Sequence, residues 1–246
     1  MKKFLYSASV ALCMLLAASC GDSDSETNSD VVLLKKVIET DEDGEQYIAT
    51  FTYNGTKIAT VTYNDGTHDV YTYTSNLITK IETFYGSTVI IEDSFEYNSG
   101  NQLSVHTYKD LEADYAEKTI YAYAANGMVT TQEFEGTITA QTQLRGTGAI
   151  TVTNDNITQY SFTGTGESTP QVITFTFDTK NDPLKNITGS ALLNLAYNEG
   201  GINNILTTND GAEISTTVYT YNSDNFPTTS VDTYDDEVTT TQYTYQ

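Results

Sequence analysis

Histidine and cysteine are the scarcest chemically reactive residues of this chain, and their positions limit what it can catalyse. Only two histidines occur, His68 in the turn after Asn64-Asp65-Gly66 and His106 in a strand from Gln102 to Tyr108. A serine or threonine nucleophile would need one of them as its base. No serine lies in a nucleophile elbow, and no Cys/His spacing suits zinc. We therefore predict a non-enzymatic protein with no catalytic residue, metal or cofactor, and with both histidines on the surface.

Carboxylates are abundant, with 33 Asp and Glu against 11 Lys and Arg, so two neighbouring acids say little about acid–base chemistry. The runs Asp41-Glu42-Asp43-Gly44-Glu45 and Asp232–Glu237 offer oxygen ligands at a density that calcium uses. Neither run has the EF-hand loop pattern, and Asp-Gly is also ordinary hairpin-turn chemistry. Calcium binding remains an alternative.

Tyrosine is the third candidate, because an exposed phenol ring stacks on sugars or apolar peptide groups with little loss of entropy. The chain has 19 tyrosines and no tryptophan. Most of the tyrosines stand in short tags such as Tyr71-Thr72-Tyr73, whose regular spacing indicates core packing. Capture of a glycan or a peptide by tyrosines left exposed remains a hypothesis.

The N-terminus carries an export signal. Lys2 and Lys3 precede an apolar stretch of 13 residues, Phe4–Leu16, which is shorter than the roughly 20 residues of a membrane-spanning helix and fits a signal peptide. Ala17-Ala18-Ser19-Cys20 follows and resembles the lipobox of bacterial lipoproteins, in which the cysteine is acylated. Ala17 departs from the leucine that is usual at its position.

Cleavage at an ordinary signal-peptide site after Ser19 is the alternative. It would leave Cys20 as a free thiol in an exported chain, and the loss of Cys13 with the signal peptide means that no intramolecular disulfide can form. A lone cysteine at this position favours lipid attachment. We therefore predict a lipoprotein signal peptide over residues 1–19 and a lipidated Cys20.

The residues after Cys20 are polar and acidic. Gly21–Glu26 cannot build a core and resembles the acidic export tag of bacteroidetal surface lipoproteins. We predict a lipidated flexible tether over residues 20–30 and a single β-repeat domain over residues 31–246, at the outer membrane and facing the cell surface.

Charge limits the partners of the mature chain. Loss of Lys2 and Lys3 moves the net charge from −22 to −24, which disfavours nucleic acid and electrostatic docking on anionic lipid. The expected contacts are therefore the membrane through the lipid anchor only, and a neutral or cationic ligand such as a glycan or peptide.

A short tag recurs through the mature chain: a large apolar residue, a small or polar residue and another large residue. Clear copies begin at residues 51, 71, 95, 121, 175, 219 and 243, and weaker copies at Ile150 and Leu195 place successive tags 20 to 29 residues apart. Such a period indicates a repeat architecture. Turn residues such as Asn54-Gly55 and then a second alternating segment follow the tags, as expected for β-hairpins.

Each repeat is predicted to form two antiparallel strands of roughly six to nine residues. Leu33–Glu39 resembles the second strand of a repeat and the chain ends on a first strand at Tyr245, so pairing of the two would remove both sheet edges. The predicted fold is all-β: an antiparallel up-and-down meander of about 18 short strands, closed or nearly closed into a flattened soluble barrel. Only Lys109–Lys118 suggests a helical turn.

The tags and turns resemble the tyrosine-aspartate repeats of secreted shell-forming β-proteins. They are more similar to bacteroidetal lipoproteins of unknown function, one group of which has a porin-like fold. Phe177–Ile187 and Tyr221–Thr228 carry this resemblance most clearly, and it covers essentially all of residues 31–246. It implies an all-β fold and an envelope location, and it brings no catalytic residues. The units around Ile150 and Leu195 are degenerate.

A membrane pore is the alternative that this resemblance raises, since a barrel of this size can hold an aqueous lumen. Transmembrane strands present an apolar face to lipid over about 9–11 residues, whereas these are short and carry Thr, Ser, Glu and Lys opposite their aromatic face. We expect the aromatic face inside and threonine in water. The function predicted is a non-enzymatic binding or interaction module, with a structural envelope protein as the second candidate.

Overall fold

The protein is described by a computed structural model over residues 31–124, 127–235 and 237–246. The predicted signal peptide, Cys20 and the tether lie outside these residues. The described chain forms sixteen β-strands and one α-helix. In chain order they are β1 Leu34–Thr40, β2 Gln46–Asn54, β3 Lys57–Tyr63, β4 Thr67–Thr74, β5 Leu77–Tyr85, β6 Thr88–Tyr97, β7 Leu103–Asp110, β8 Tyr115–Tyr123, β9 Val129–Thr137, β10 Ala140–Thr153, β11 Asn156–Gly164, β12 Gln171–Phe177, α1 Ser190–Tyr197, β13 Ile205–Asn209, β14 Ile214–Tyr221, β15 Pro227–Tyr234 and β16 Glu237–Tyr245.

The strands form one closed antiparallel barrel in which each strand pairs with its neighbours in the sequence and β1 pairs with β16. At this seam Val37 lies opposite Tyr243. Just beyond it, the backbones of Leu33 and Gln246 exchange hydrogen bonds of 3.1 and 2.9 Å. The predicted pairing of the first and last strands is confirmed.

The predicted count of about 18 strands is wrong by two, and both missing strands fall in one stretch. The weak tag at Leu195 lies in α1, and the second strand that was expected to follow the tag at residue 175 does not form in the described chain, where residues 183–187 are turns. Residues 178–204, named the plug segment here, therefore leave the wall between β12 and β13. The other weak tag, at Ile150, does lie near the end of a strand, β10.

Helix α1 forms where the repeat pattern gives way to good helix formers. Ser190–Tyr197 is rich in Leu and Ala and contains no β-branched residue, and it ends at Asn198 in the left-handed conformation. Lys109–Lys118, where a helical turn was expected, instead ends β7, turns and begins β8. The described residues include no helix with the length and hydrophobicity of a membrane span.

The plug segment crosses one end of the barrel, named the plug end; the opposite rim is named the mouth. Thr188 N–H donates to the Thr56 carbonyl oxygen at 2.9 Å, and the Gly200 carbonyl oxygen accepts from Ile157 N–H at 2.9 Å. The Asn186 amide donates to the carbonyl oxygen of Val32 at 3.0 Å, so β1 also begins at this end. The plug segment is thus bonded to several points of the rim.

Helix α1 lies inside the barrel. Its Leu193 and Ala196 share one buried hydrophobic cluster with side chains from eight successive strands, β5 to β12. A helix can meet so many consecutive strands of a closed wall only from within. The chain turns into the helix at Gly189, where φ is 92° and an added Cβ would lie 2.8 Å from the Ile78 side chain, so glycine is required there.

The two faces of the wall differ as predicted. In β14 the alternate residues Ile214, Thr216, Val218 and Thr220 are exposed, whereas the residues between them are half-buried. Outward threonines pair across strands, as Thr176 and Thr207 do, with 2.7 Å between their hydroxyl oxygens. Aromatic tag residues face inward, and Phe95, Tyr121 and Phe175 are buried.

Candidate functional site: the barrel interior

The tag tyrosines explain how the wall is held at the plug end. The last tyrosine of several tags donates its hydroxyl to a backbone carbonyl oxygen near the start of the preceding strand. These bonds run from Tyr53 to Leu34, from Tyr97 to Ile78, from Tyr123 to Leu103 and from Tyr245 to Pro227. These rings therefore serve as latches between strands, which supports the prediction that most tag tyrosines are structural.

A buried acid–imidazole pair is the first polar feature of the interior. Asp93 Oδ1 on β6 lies 2.7 Å from His106 Nε2 on β7, and both side chains are 10% exposed. The imidazole stacks on Phe95 with ring centroids 4.9 Å apart. The ring of Tyr197, at the end of α1, stands nearly perpendicular to it at 5.9 Å. The plug therefore reaches this pair.

His106 lies in a strand as predicted, but each histidine departs from the prediction in one respect. His106 is buried because it pairs across β6 with the inward tag residue Phe95, so it is not a surface residue. His68 lies in β4 and not in a turn, and its ring stacks on Phe84 with centroids 4.8 Å apart. The register of the strands, and not their composition, decides both positions.

Asp69 on β4 is a second buried acid. Its Oδ1 accepts a hydrogen bond from Thr83 Oγ1 at 2.7 Å, and its Oδ2 accepts one from the Tyr63 hydroxyl at 3.0 Å. Burial raises the pKa of Asp69 to about 6; the two hydrogen bonds lower it, and the nearby Asp93 raises it. Because both bonding partners are neutral, they leave the charge of ionised Asp69 without a bonded cation.

Two tyrosines stand beside these acids. Burial is the main cause that raises the pKa of Tyr71 and Tyr197 well above the ordinary value, and the nearby Asp69 and Asp93 add to it. Tyr197 is nevertheless 50% exposed. Tyr197 lies among interior groups and is still exposed to solvent. It must therefore border an accessible space inside the barrel. Neither hydroxyl has a hydrogen-bond partner among the described residues.

A second polar group lies toward the mouth on β8 to β11. Glu117 Oε1 accepts hydrogen bonds from Arg145 Nη1 at 2.8 Å and from the Tyr115 hydroxyl at 2.5 Å. Glu133 Oε1 accepts one from the Tyr160 hydroxyl at 2.7 Å. Arg145 is thus engaged by Glu117.

The opposite wall, β14 to β16, is polar as well. Asp232 accepts hydrogen bonds from Ser215 Oγ at 2.9 Å and from Thr217 Oγ1 at 3.1 Å. Burial raises the pKa of Asp182, in the plug segment, to about 7; the Leu184 N–H that it accepts lowers this pKa, and Asp178 raises it. Acids therefore line the interior on both sides.

The charge inside the barrel is strongly unbalanced. The basic side chains that bond to interior acids in the described chain are Arg145 and His106. Lys80 and Lys109 pair with glutamates on the outer face, at 2.8 and 2.6 Å. The interior acids described above are Asp69, Asp93, Glu117, Glu133, Asp182 and Asp232. Such an interior attracts cations and repels anions.

The acidic runs that suggested calcium have other roles. Asp41 Oδ1 accepts the backbone N–H groups of Asp43 and Glu45 at 3.1 and 2.8 Å, which shapes the turn. Asp232 lies in β15 and faces inward, and Asp236 lies outside the described residues. Within the described ranges, no group of three or more His, Cys, Asp or Glu side chains is placed to hold a metal ion.

The interior acids were not singled out from the sequence, although a signal for two of them was present. Asp69 and Asp93 each stand two residues before a tag, at Tyr71 and Phe95. Period-two alternation places such a residue on the same inward face as the tag. Asp182 and Tyr197 had no comparable signal, because they belong to the plug segment.

The fold is similar to crystal structures of two porin-like proteins. The one from Bacteroides uniformis ATCC 8492 aligns with a TM-score of 0.53 and 11% identity, covering 87% of this chain and 96% of that one. The one from Bacteroides vulgatus ATCC 8482 aligns with a TM-score of 0.56 and 14% identity, covering 88% and 99%. No protein-family model matches the chain, and no curated protein is similar to it in sequence.

Proposed function

We propose that this protein is a lipid-anchored, non-enzymatic binding module of the bacterial envelope that takes its ligand into the barrel. The observation that carries the proposal is the interior around Tyr197, a residue that is half-exposed although it lies beside the buried Asp69 and Asp93. The Tyr71 and Tyr197 hydroxyls also have no hydrogen-bond partner among the described residues. A polar ligand with suitable donors would satisfy them.

The outer face supports a barrel that stands in water. Its strands present threonines and the Lys80–Glu82 and Lys109–Glu92 ion pairs, where a membrane barrel needs a continuous apolar band. The plug segment also crosses the lumen. These features favour a tethered module over a conducting pore, although the similar Bacteroides proteins are called porin-like.

The anchor sets the orientation in this proposal. Residue 31 lies at the plug end, so a tether from Cys20 leaves the barrel there. The predicted tether of about ten residues would span on the order of 18 Å. The mouth then points away from the membrane, where a solute or a chain end can reach it.

A structural envelope protein is the second candidate, and the tight packing of α1 against β5 to β12 favours it. In that case the interior would hold the wall in shape and bind nothing. Ligand binding therefore separates the two candidates.

The proposal is tested in two steps. Cells that express the full chain and its Cys20→Ser variant are fed labelled palmitate, and we expect label on the first protein only. Residues 21–246 are then purified without detergent, and we expect a monodisperse protein whose melting temperature rises with at least one class of cationic or neutral solute. Label on both proteins, a need for detergent, or conductance in a planar bilayer would contradict the proposal. No shift with any solute would favour the structural candidate.

A further inference from the structure

The space beside Tyr197 has the components of one particular kind of site. Tyr197 comes from α1, Tyr71 and Asp69 from β4, Asp93 from β6 and His106 from β7. Tyr71 and Asp93 lie at one level of the wall, since both pair with Ile81 of β5 from opposite sides. Asp69 pairs with Thr83 one inward position nearer the mouth. Strand register thus brings Tyr71 and the two carboxylates to the same part of the interior, and Tyr197 reaches it from α1 through its contact with His106.

The two carboxylates are not equivalent. Asp93 has His106 as its partner at 2.7 Å. Asp69 is 7% exposed, and its partners are the neutral hydroxyls of Thr83 and Tyr63. Arg145 is bonded to Glu117 on another part of the wall. Asp69 is therefore the carboxylate here whose charge has no bonded cation among the described residues.

The two rings add a second and independent observation. The Tyr71 and Tyr197 hydroxyls have no hydrogen-bond partner in the described chain, and burial is the main cause that raises the pKa values of both groups well above the ordinary range. Tyr197 is 50% exposed although its ring contacts the buried His106. An aromatic face next to a carboxylate without a bonded cation favours the binding of an ammonium group.

We propose that this part of the interior, named the ammonium site, binds an organic ammonium group carried by a small amine or by a basic peptide. Asp69 supplies the opposite charge, and the Tyr71 and Tyr197 rings cover the cation. This inference rests on the proposed binding function and names its ligand class. A neutral polyol would leave Asp69 unbalanced, and the described residues hold no metal-binding group here.

The test compares two probes of the same length, 1,6-diaminohexane and 1,6-hexanediol, by calorimetry on residues 21–246. We expect heat of binding with the diamine and at least tenfold weaker binding of the diol. Asp69→Asn should weaken the diamine at least tenfold. Tyr197→Ala should do the same, whereas Tyr197→Phe, which keeps the ring, should stay within about threefold of the parent.

Asp232→Asn is the matched control, because Asp232 is also an inward acid bonded only by hydroxyls, but lies on β15. Equal weakening by Asp69→Asn and Asp232→Asn would show diffuse attraction to an acidic interior and overturn the site. Equal binding of diol and diamine would also overturn it. Melting curves of each variant show whether it is folded, and Tyr197→Phe tests the ring with little risk to folding. If no amine binds while palmitate labels Cys20 and a neutral solute raises the melting temperature, the ammonium site fails and the binding module remains.

Discussion

The wall from β5 to β12 and the wall from β13 to β16, named the packed arc and the open arc, use the same repeat but enclose different interiors. In the packed arc Ile78, Leu103 and Ile150 are fully buried in the cluster that contains α1. In the open arc the inward residues of β14 and β16 are only half-buried. The outer face of the open arc also carries the exposed Val218, at 70%. The tag therefore determines that a segment forms a strand and which of its residues face inward. The plug segment determines which part of the interior is closely packed.

The largest effect is expected when the contact between α1 and the packed arc is disrupted. Leu193→Asp places a carboxylate in the buried cluster around α1, so we expect a loss of about 4 kcal/mol or more in the free energy of unfolding. Urea denaturation of residues 21–246 measures it. Ala191→Asp is the control, since Ala191 is exposed on the same helix, and it should change stability by about 0.5 kcal/mol or less. Equal losses would mean that α1 is not held by the packed arc.

The second effect concerns Asp182, which stands where the plug segment meets the open arc. Burial raises the pKa of its carboxyl to about 7 in the folded protein, against roughly 3.9 in an unfolded chain. Between these values the folded state binds more protons, so stability should fall as pH rises from about 4 to about 7. Asp69, whose pKa is raised to about 6, acts in the same direction.

Asp182→Asn should remove most of this dependence. The variant can still accept the Leu184 N–H, and we expect it to be about 1–2 kcal/mol more stable than the parent at pH 8 and equal to it near pH 4. Urea midpoints at both pH values measure the difference. Asp224→Asn, at an exposed turn of the plug end, should leave the pH dependence unchanged. A stability gain that is the same at both pH values would contradict the assignment.

A smaller effect is expected when one tyrosine latch is removed from each arc. Tyr123→Phe removes the hydroxyl that donates to Leu103 in the packed arc, and Tyr245→Phe removes the one that donates to Pro227 in the open arc. Each should cost about 1 kcal/mol, the net worth of one hydrogen bond. Tyr85→Phe, at a 62% exposed position, should cost nothing measurable in thermal melts. A loss confined to Tyr123→Phe would show that the open arc is loosely held at the plug end.

The smallest effect is expected on the outer face of the open arc. Val218 and Val231 pair across β14 and β15 and are exposed. Changing both to Thr should alter stability by about 0.5 kcal/mol or less and leave flotation with lipid vesicles unchanged for protein that lacks Cys20. Loss of vesicle binding in this variant would show that the open arc contacts lipid.

Much of this architecture could be predicted because the information is local. Tags such as Tyr71-Thr72-Tyr73, turns such as Asn54-Gly55 and the half-unit at Leu33–Glu39 determine the strands, the turns and the closure. The plug segment could not be predicted in the same way. Leu195-Ala196-Tyr197 satisfies a three-residue tag as well as a helix, and the packing of Leu193 and Ala196 inside the barrel adds to local helix propensity in favouring the helix.

The candidate site was less predictable than the fold, again for a physical reason. His106 becomes the partner of Asp93 only when β6 and β7 pair in one register, and a shift of one residue would turn either side chain outward. Tyr197 reaches this pair only after the plug segment has crossed the barrel. Interactions between segments that are distant in the sequence therefore define the site, and the amino-acid composition does not reveal them.

The seam between β1 and β16 has a consequence for the order of folding. Its pairs join the beginning of the described chain to its end, as Leu34 and Tyr245 do. They therefore close the longest loop of the barrel, which costs the most chain entropy, and we expect them to form last. Until β16 has been synthesised and has folded, β1 is an edge strand with one side unpaired. Lys35 and Lys36 lie on that strand, and charged edge residues discourage pairing with other chains. We therefore expect these lysines to oppose aggregation of the nascent barrel before it closes.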